Sequence, residues 1–388
     1  MNIAFFEIRL SSINMYQERL IKELNGLDKS LKIFFYYEQN DFEPNLSNFK
    51  DIDLVLIKIN KISFINFSQS LKENQISKLV VFAQRIPDSF VVAVAKKNLI
   101  TSIMIQHGLY VPFMKRKLSL FFYNLYKSFR YLKYSFETSK LLKKNSFIYL
   151  IKNILVWIFG FDRDFLKIKL NILNTDYVLV WGEYWKKYHN DEFGYEFEKQ
   201  FIIGNPDYNN IKKNKLNEMP KNTMCYISQT LVEDGRLSRK IFLNFLKNLK
   251  ILSQVNNLNL TFKLHPRSDL SLYSGMFSEE NLVVKDLPKS HIYIGHYSSL
   301  LAKTIFNSHN LILVDFPGHQ IPSYIKEFQS FRVDYDKLYE LEDFLSEIIP
   351  KNLSPKLIDE NILRQNYFFD SSIENPLKSA ANKILQLN

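Results

Sequence analysis

Residues 260–269 read LTFKLHPRSD, and the break inside this stretch decides the fold. Leu260–Leu264 is a short apolar run of strand length that stops at His265, and Pro266 holds that histidine in extended backbone. Lys263 and Arg267 stand two residues to either side of it. Runs of the same kind recur upstream and downstream. MNIAFFEI, SLKIFFYY, DLVLIKI, KLVVFAQ, LITSIMIQHG, DYVLVWG and KQFIIGNP come first. After the polar stretch KKNKLNEMPKN (213–222) come TMCYISQ, LTFKLHP, HIYIGH and NLILVDFP. Each reads as four to seven buried strand residues. Helical patterns such as MYQERLIKELNG, SRKIFLNFLKNLKILSQ, SSLLAKTIFNS and YELEDFLSEII lie between them. Strands alternating with helices predict parallel sheets with crossover connections. The expected fold is therefore α/β, with two doubly wound Rossmann-like domains.

Length agrees with two domains, since 388 residues exceed what one hydrophobic core ordinarily supports. We expect residues 1–215 to form the first domain and residues 216–350 the second. Closing helices are expected in 351–388, where SIENPLKSAANKILQ has a helical pattern. The single cysteine, Cys225, excludes an intrachain disulfide, and MNIAFFEIRLSS lacks the basic-then-apolar order of a signal peptide. A cytoplasmic location is the resulting expectation. No GxGxxG or P-loop pattern occurs, so neither dinucleotide binding nor P-loop phosphate binding has support.

The net charge of +11 is concentrated in one place. Residues 110–170 contain 13 Lys and Arg against Glu137, Asp162 and Asp164, and 16 Phe, Tyr and Trp. Cations interleaved with aromatic anchors suit an anionic membrane surface. Packed helices with solvated lysines would also give this composition. The aliphatic content speaks against nucleic acid, which basic and aromatic residues otherwise serve. The most apolar part, SFIYLIKNILVWIFGF, is 16 residues long and interrupted by Lys152, too short to span a bilayer.

In parallel sheets ligands bind beyond the carboxyl ends of strands, and four strand-end motifs carry suitable chemistry. Gln106-His107-Gly108 follows LITSIMI, Glu233-Asp234-Gly235 follows MCYISQTLV, His265-Pro266 follows LTFKL, and Ser298-Ser299 follows HIYIGHY. Two serines opening a helix offer hydroxyls, free N–H groups and the helix dipole to an anion, although an ordinary N-cap explains one of them. An imidazole at His265 can donate to, or protonate, a leaving phosphate oxygen, and a carboxylate at Glu233 or Asp234 can accept a proton from an attacking hydroxyl. Lys263 and Arg267 add positive charge. The DxD strings at 51–53, 162–164 and 334–336 are scattered among 40 acids, and no His/Cys cluster has metal-ligand spacing. Metal-independent chemistry without a cofactor is expected.

In order and spacing, Glu233-Asp234-Gly235, His265-Pro266 and Ser298-Ser299 resemble the motifs of bacterial GT-B sialyltransferases, including the lipooligosaccharide sialyltransferases and polysialyltransferases. The resemblance covers roughly residues 222–320. It implies two Rossmann-like domains facing a central cleft, with the acceptor in the first and the donor in the second. The implied reaction is inverting transfer of a nonulosonic acid (sialic, pseudaminic or legionaminic type) from its CMP-activated donor to a glycan or lipid-linked glycan in capsule or lipopolysaccharide synthesis. Such an enzyme would work at the inner face of the cytoplasmic membrane. By the same resemblance the acidic motif is the general base, His265 assists departure of CMP, and Ser298 and Ser299 bind its phosphate. Gly235, Lys263, Pro266 and Arg267 complete the expected donor site. The family often has Asp at the first acidic position where this chain has Glu233, which leaves open which carboxylate is the base.

Two other readings compete. Gln106-His107-Gly108 and the Gly204-Asn205-Pro206 turn are similar to elements of polyol-phosphate polymerases of the teichoic acid type, in which a His-Gly histidine is the base. His107 thus favours CDP-glycerol-type phosphotransfer, for which the EDG carboxylates have no use. A non-catalytic peripheral membrane protein would use the basic segment and leave the strand-end motifs without a role.

Overall fold

The computed structural model describes residues 1–14, 16–40, 43–106, 108, 121–142, 146–159, 172–206, 220–265, 267–284, 287–304, 310–318, 321, 326, 331–349 and 373–387. They form two compact units, one from 1–106, 121–206 and 373–387, the other from 220–349.

The first unit is built on a seven-stranded sheet, β1 (Asn2–Arg9), β2 (Lys32–Gln39), β3 (Asp53–Lys58), β4 (Lys78–Val81), β5 (Thr101–Ile105), β6 (Tyr177–Val180) and β7 (Gln200–Ile202). Its order is β3-β2-β1-β4-β5-β6-β7, and every pairing among the described residues is parallel. Such a sheet hides both faces under crossover helices, which is why β1 has six successive buried residues, Ile3–Ile8, all apolar but Glu7. Helices α1 (Tyr16–Leu27), α2 (Phe64–Glu73), α3 (Ile86–Lys97), α4 (Phe121–Ser139), α5 (Ser146–Phe159) and α6 (Glu183–Phe193) belong to this unit.

The helix of 376–386 also belongs to the first unit. Its buried Ala380, Ala381 and Ile384 join Leu20, Ile21 and Leu24 of α1 in one core beneath Ile3 and Phe5. Asn375 caps its start by accepting from Lys378 N at 3.0 Å, and Lys78 Nζ donates to the carbonyls of Ile384 (2.7 Å) and Leu385 (2.9 Å) at its end. Gly204, with φ +79°, lies so close that a Cβ there would meet Pro376 Cγ at 3.2 Å. The Gly204-Asn205-Pro206 turn thus has a packing reason for its glycine.

The strand order of the first unit reverses between β1 and β4. There Glu7, at the end of β1, accepts from Arg85 Nη2 at 3.0 Å, and Arg85 also grips Asp88 of α3 through Nε (2.6 Å) and Nη2 (2.9 Å). Asp88 also accepts from Arg85 N at 2.8 Å and so closes the first turn of the helix.

The second unit has a six-stranded sheet with β8 (Thr223–Ile227), β9 (Asn259–Lys263), β10 (Leu282–Val283), β11 (Ile292–Gly295), β12 (Asn310–Asp315) and β13 (Phe331–Asp334). Its order, β10-β9-β8-β11-β12-β13, is again that of a doubly wound sheet, and the described pairings are parallel. Helix α7 (Arg239–Val255) places Phe242 and Phe245 against Tyr226 of β8, which accounts for its apolar stripe. Helices α8 (Ser299–Thr304) and α9 (Glu342–Ile348) are the other described α-helices of this unit. β10 and β13 are absent from the sequence-based strand set. β10 has only two residues, and β13 pairs at the edge with the mixed run FRVD.

Candidate functional site

Order in the second sheet reverses between β8 and β11, with β9 on the other side of β8. Doubly wound sheets bind ligands at such a switch point. The acidic motif follows β8, the histidine follows β9, and the serines follow β11, so all three stand on adjacent strand ends.

Beyond β8 the chain folds back on itself. Asp234 N donates to Thr230 O (2.9 Å), Gly235 N to Val232 O (2.8 Å), and Arg236 N and Leu237 N both reach Leu231 O at 2.7 and 2.9 Å. Gly235 takes φ +64°, a left-handed conformation that a side chain resists. Buried Leu231 and Leu237 root this loop in the core. The glycine thus makes the turn that presents the two carboxylates.

The loop after β9 is stitched to it. Arg267 Nη1 donates to Asp234 Oδ1 at 3.1 Å, and its Nη2 reaches Thr230 Oγ1 at 3.2 Å and Asp234 Oδ2 at 3.5 Å. Asp269 N donates to Glu233 Oε1 at 2.8 Å. The carboxylate of Asp234 also accepts from Thr230 Oγ1 at 2.9 Å and lies 3.7 Å from Arg236 Nη2. Burial pushes the Asp234 pKa up, but the hydrogen bonds from Arg267 and Thr230 and the charges of Arg267 and Arg236 outweigh it and hold it below the usual carboxylate value.

His265 is held by its own loop. Its N–H donates to Ser268 Oγ at 3.1 Å, its carbonyl accepts from Ser268 N at 2.8 Å, and its Nδ1 accepts from Arg267 N at 3.1 Å. A ring whose Nδ1 accepts carries its proton on Nε2, so Nε2–H is the donor. Burial lowers its pKa, the charges of Arg267 and Lys263 lower it further, and Asp234 opposes them. The neutral imidazole is the favoured form.

Lys263 is buried, and its ammonium donates to the carbonyls of Leu264 (2.8 Å) and Val284 (2.6 Å). It ties the end of β9 to the chain leaving β10 and acts on His265 through charge.

Ser298 N-caps α8: its Oγ accepts from Leu300 N at 3.0 Å and its carbonyl from Leu301 N at 3.1 Å. Gly295 at the end of β11 lets this turn close, because a Cβ there would meet Leu301 Cδ2 at 2.9 Å. Tyr297 accepts from Arg236 Nη1 at 2.8 Å. A chain of contacts, Arg267–Asp234–Arg236–Tyr297, therefore links the three loops.

The structure thus brings Glu233, Asp234, Gly235, His265, Arg267 and Ser298 to one sheet edge and turns the Lys263 ammonium to backbone carbonyls. Ser299 is the first residue of α8. His107 and Pro266 lie outside the described residues. Gln106, fully buried, accepts from Trp181 N at 2.9 Å and so joins β5 to the chain leaving β6. Arg236, Thr230 and Tyr297 were missed by motif reading. Arg236 follows the motif glycine and Tyr297 precedes the serines, so adjacency was the available signal. Among the described residues no group of three or more His, Cys, Asp and Glu side chains is placed to hold a metal ion.

No family model matches the chain, and no curated protein sequence matches it. Solved structures do. The UDP-GlcNAc 2-epimerase of Methanocaldococcus jannaschii, in complex with UDP-GlcNAc and UDP, is similar over 100% of both chains with a TM-score of 0.56 at 13% identity. A UDP-N-acetylglucosamine 2-epimerase from Listeria monocytogenes covers 99% of this chain and 94% of its own, with a TM-score of 0.52 at 9% identity. S. aureus MnaA with UDP gives 0.51 at 12% identity over 99% and 94%. The likeness is one of fold: two parallel-sheet Rossmann-like domains of GT-B type.

Proposed function

We propose that the chain is an inverting, metal-independent glycosyltransferase that moves a nonulosonic acid of sialic, pseudaminic or legionaminic type from its CMP-activated donor. The acceptor is a glycan or lipid-linked glycan of capsule or lipopolysaccharide synthesis, reached at the inner face of the cytoplasmic membrane. One observation carries the reading: the acidic, histidine and serine loops stand at one topological switch point and are locked together through Asp234. Neighbours of the same fold hold UDP-GlcNAc or UDP, which supports a sugar nucleotide as the substrate class. The CMP-nonulosonate donor rests on the motifs.

The chemistry follows from the partners each group already has. Asp234 is engaged by two guanidinium groups and a hydroxyl, which stabilise its anion and make it a poor proton acceptor. Glu233 is the base in this reading, with Oε1 oriented by Asp269 N. It takes the acceptor hydroxyl proton as that oxygen bonds to the anomeric carbon and the bond from carbon to phosphate oxygen breaks. CMP departs with the bonding electrons. His265 Nε2–H, the N-terminus of α8 and the Arg267 and Arg236 guanidiniums meet the charge on its phosphate.

A donor panel tests the reading. CMP-sialic, CMP-pseudaminic and CMP-legionaminic acids, CDP-glycerol and UDP-GlcNAc are each incubated with the full chain and EDTA, and nucleotide release is measured. Release of CMP from a CMP-nonulosonate is expected. Turnover confined to CDP-glycerol would move the chain to polyol-phosphate transfer, turnover confined to UDP-GlcNAc would give it a UDP-sugar donor, and no turnover of any would favour a non-catalytic role.

A further inference from the structure

The basic, aromatic segment offers a surface that the catalytic reading does not use. Helices α4 and α5 pack against each other as a hairpin on the first unit. Their inner faces bury Tyr131, Tyr134, Ser135, Thr138, Tyr149 and Asn153. Their outer faces leave Phe129 64%, Phe136 52%, Phe147 70%, Ile148 52% and Ile151 37% exposed. Single exposed apolar residues are ordinary on a protein surface, but here each of two packed helices keeps an apolar stripe exposed, Phe129 and Phe136 seven apart on α4 and Phe147, Ile148 and Ile151 within one turn of α5. Lys133 shares the outer stripe of α4 with Phe129 and Phe136, and Lys140, in the turn that ends the helix, pairs with Glu137 and has its Nζ 4.6 Å from the Phe136 ring centroid.

We infer that this face of the α4–α5 hairpin docks in the plane of an anionic lipid surface. Charge decides the partner. The two helices and the turn that ends α4 carry Lys127, Arg130, Lys133, Lys140 and Lys152 against Glu137, so a second copy of the same face meets like charge, whereas acidic headgroups complement it. Phe and Ile side chains flanked by lysines match the boundary between headgroups and acyl chains. Length sets the orientation: the 14 residues of α5 rise roughly 21 Å as a helix, short of a hydrocarbon core of about 30 Å. No helix among the described residues is long and apolar enough to cross a membrane.

Contacts of α4 aim the surface. Glu38, at the carboxyl end of β2, accepts from Tyr134 Oη at 3.1 Å and pairs with Arg130 Nε at 3.6 Å. Glu137 accepts from Phe64 N at 3.0 Å and so caps α2. The hairpin is thereby tied to the strand-end edge of the first sheet, and docking carries that edge toward the lipid. The inference deepens the membrane-proximal part of the proposed function, yet its test reads lipid binding alone, so its failure leaves the donor chemistry untouched.

The test is co-sedimentation of the full chain with phosphatidylcholine vesicles, with and without phosphatidylglycerol, at low and high salt. The chain is expected to sediment with the anionic vesicles and to be released by salt. The Phe136→Ser/Phe147→Ser/Ile148→Ser variant should bind them at least about tenfold more weakly, and Lys133→Glu/Lys140→Glu should lose the preference for phosphatidylglycerol. An unchanged melting temperature in each variant shows that folding is intact. Wild-type protein that stays in the supernatant with anionic vesicles overturns the inference, as does a triple variant that binds as well as wild type. Sedimentation velocity supplies the remaining outcome: a wild-type dimer that the triple variant loses, without vesicle binding, assigns the face to a second copy instead.

Discussion

Arg267 and Asp234 meet across two strand-end loops, Nη1 lying 3.1 Å from Oδ1 and Nη2 3.5 Å from Oδ2. In the proposed mechanism the pair gives the two carboxylates of the acidic motif different jobs, with Asp234 holding the loops together and Glu233 as the base. Glu233→Gln is therefore expected to lower acceptor-dependent turnover about 10²- to 10⁴-fold with little change in donor KM. Asp234→Asn should weaken donor binding as well, by about 1 to 3 kcal/mol. Steady-state kinetics on both variants decides, and the opposite pattern makes Asp234 the base.

The same contact fixes a stability effect. Asp234 has its folded pKa held below its ordinary 3.8, so the stabilisation is present above that value and is lost as pH falls through the folded one. Chemical denaturation should find wild type more stable than Asp234→Asn near neutrality, with the difference closing in strong acid.

For His265 the pH effect on stability has the same sign, although here it is the charged form that the fold disfavours. Its folded pKa is below the ordinary 6.5, so the unfolded chain binds the extra proton first, and stability falls as pH drops below about 6.5. In catalysis the neutral ring already presents Nε2–H, so turnover should show no falling limb attributable to His265 between about pH 6 and 8. A descending limb in that window that disappears in His265→Gln would show that the imidazolium is the working form.

Ser298 combines a cap with a proposed phosphate contact, and the two are separable. Aspartate caps helices about as well as serine. Ser298→Asp should therefore keep the melting temperature near that of wild type while its negative charge opposes the donor phosphate and raises donor KM by tenfold or more, about 1.4 kcal/mol. Ser298→Ala should lose about 1 kcal/mol of stability. If Ser298→Asp retains wild-type KM, the phosphate lies elsewhere.

In the first unit, Arg85 compensates Glu7 and Asp88 together. Arg85→Met leaves two inward-facing carboxylates without their cation and should cost about 3 kcal/mol near neutral pH. The cost should shrink in acid as Asp88, whose pKa burial raises, becomes protonated. Urea titrations at neutral and acidic pH measure both values.

Much of the architecture was legible because its signals are local. Runs such as TMCYI and LTFK carry the strand pattern within five residues. β10 and β13 escaped because a two-residue strand and an edge run of mixed polarity have no period to read. The site was half legible. Motif reading found the residue types at the strand ends, but the partner of each charge lies tens of residues away in the chain: Asp234 reaches Arg267, and Arg236 reaches Tyr297.

The amino-acid sequence by itself determined an α/β chain with reactive groups at parallel strand ends and a cationic aromatic segment, since composition, periodicity and turn chemistry are written over a few neighbouring residues. Only the tertiary structure decided that Asp234 is consumed by two arginines, that Lys263 spends its ammonium on the carbonyls of Leu264 and Val284, and that Phe136 and Phe147 face outward while Tyr134 and Tyr149 face in. Those outcomes depend on which long side chains the parallel register and helix packing bring within hydrogen-bond reach, and no short window of sequence contains both partners.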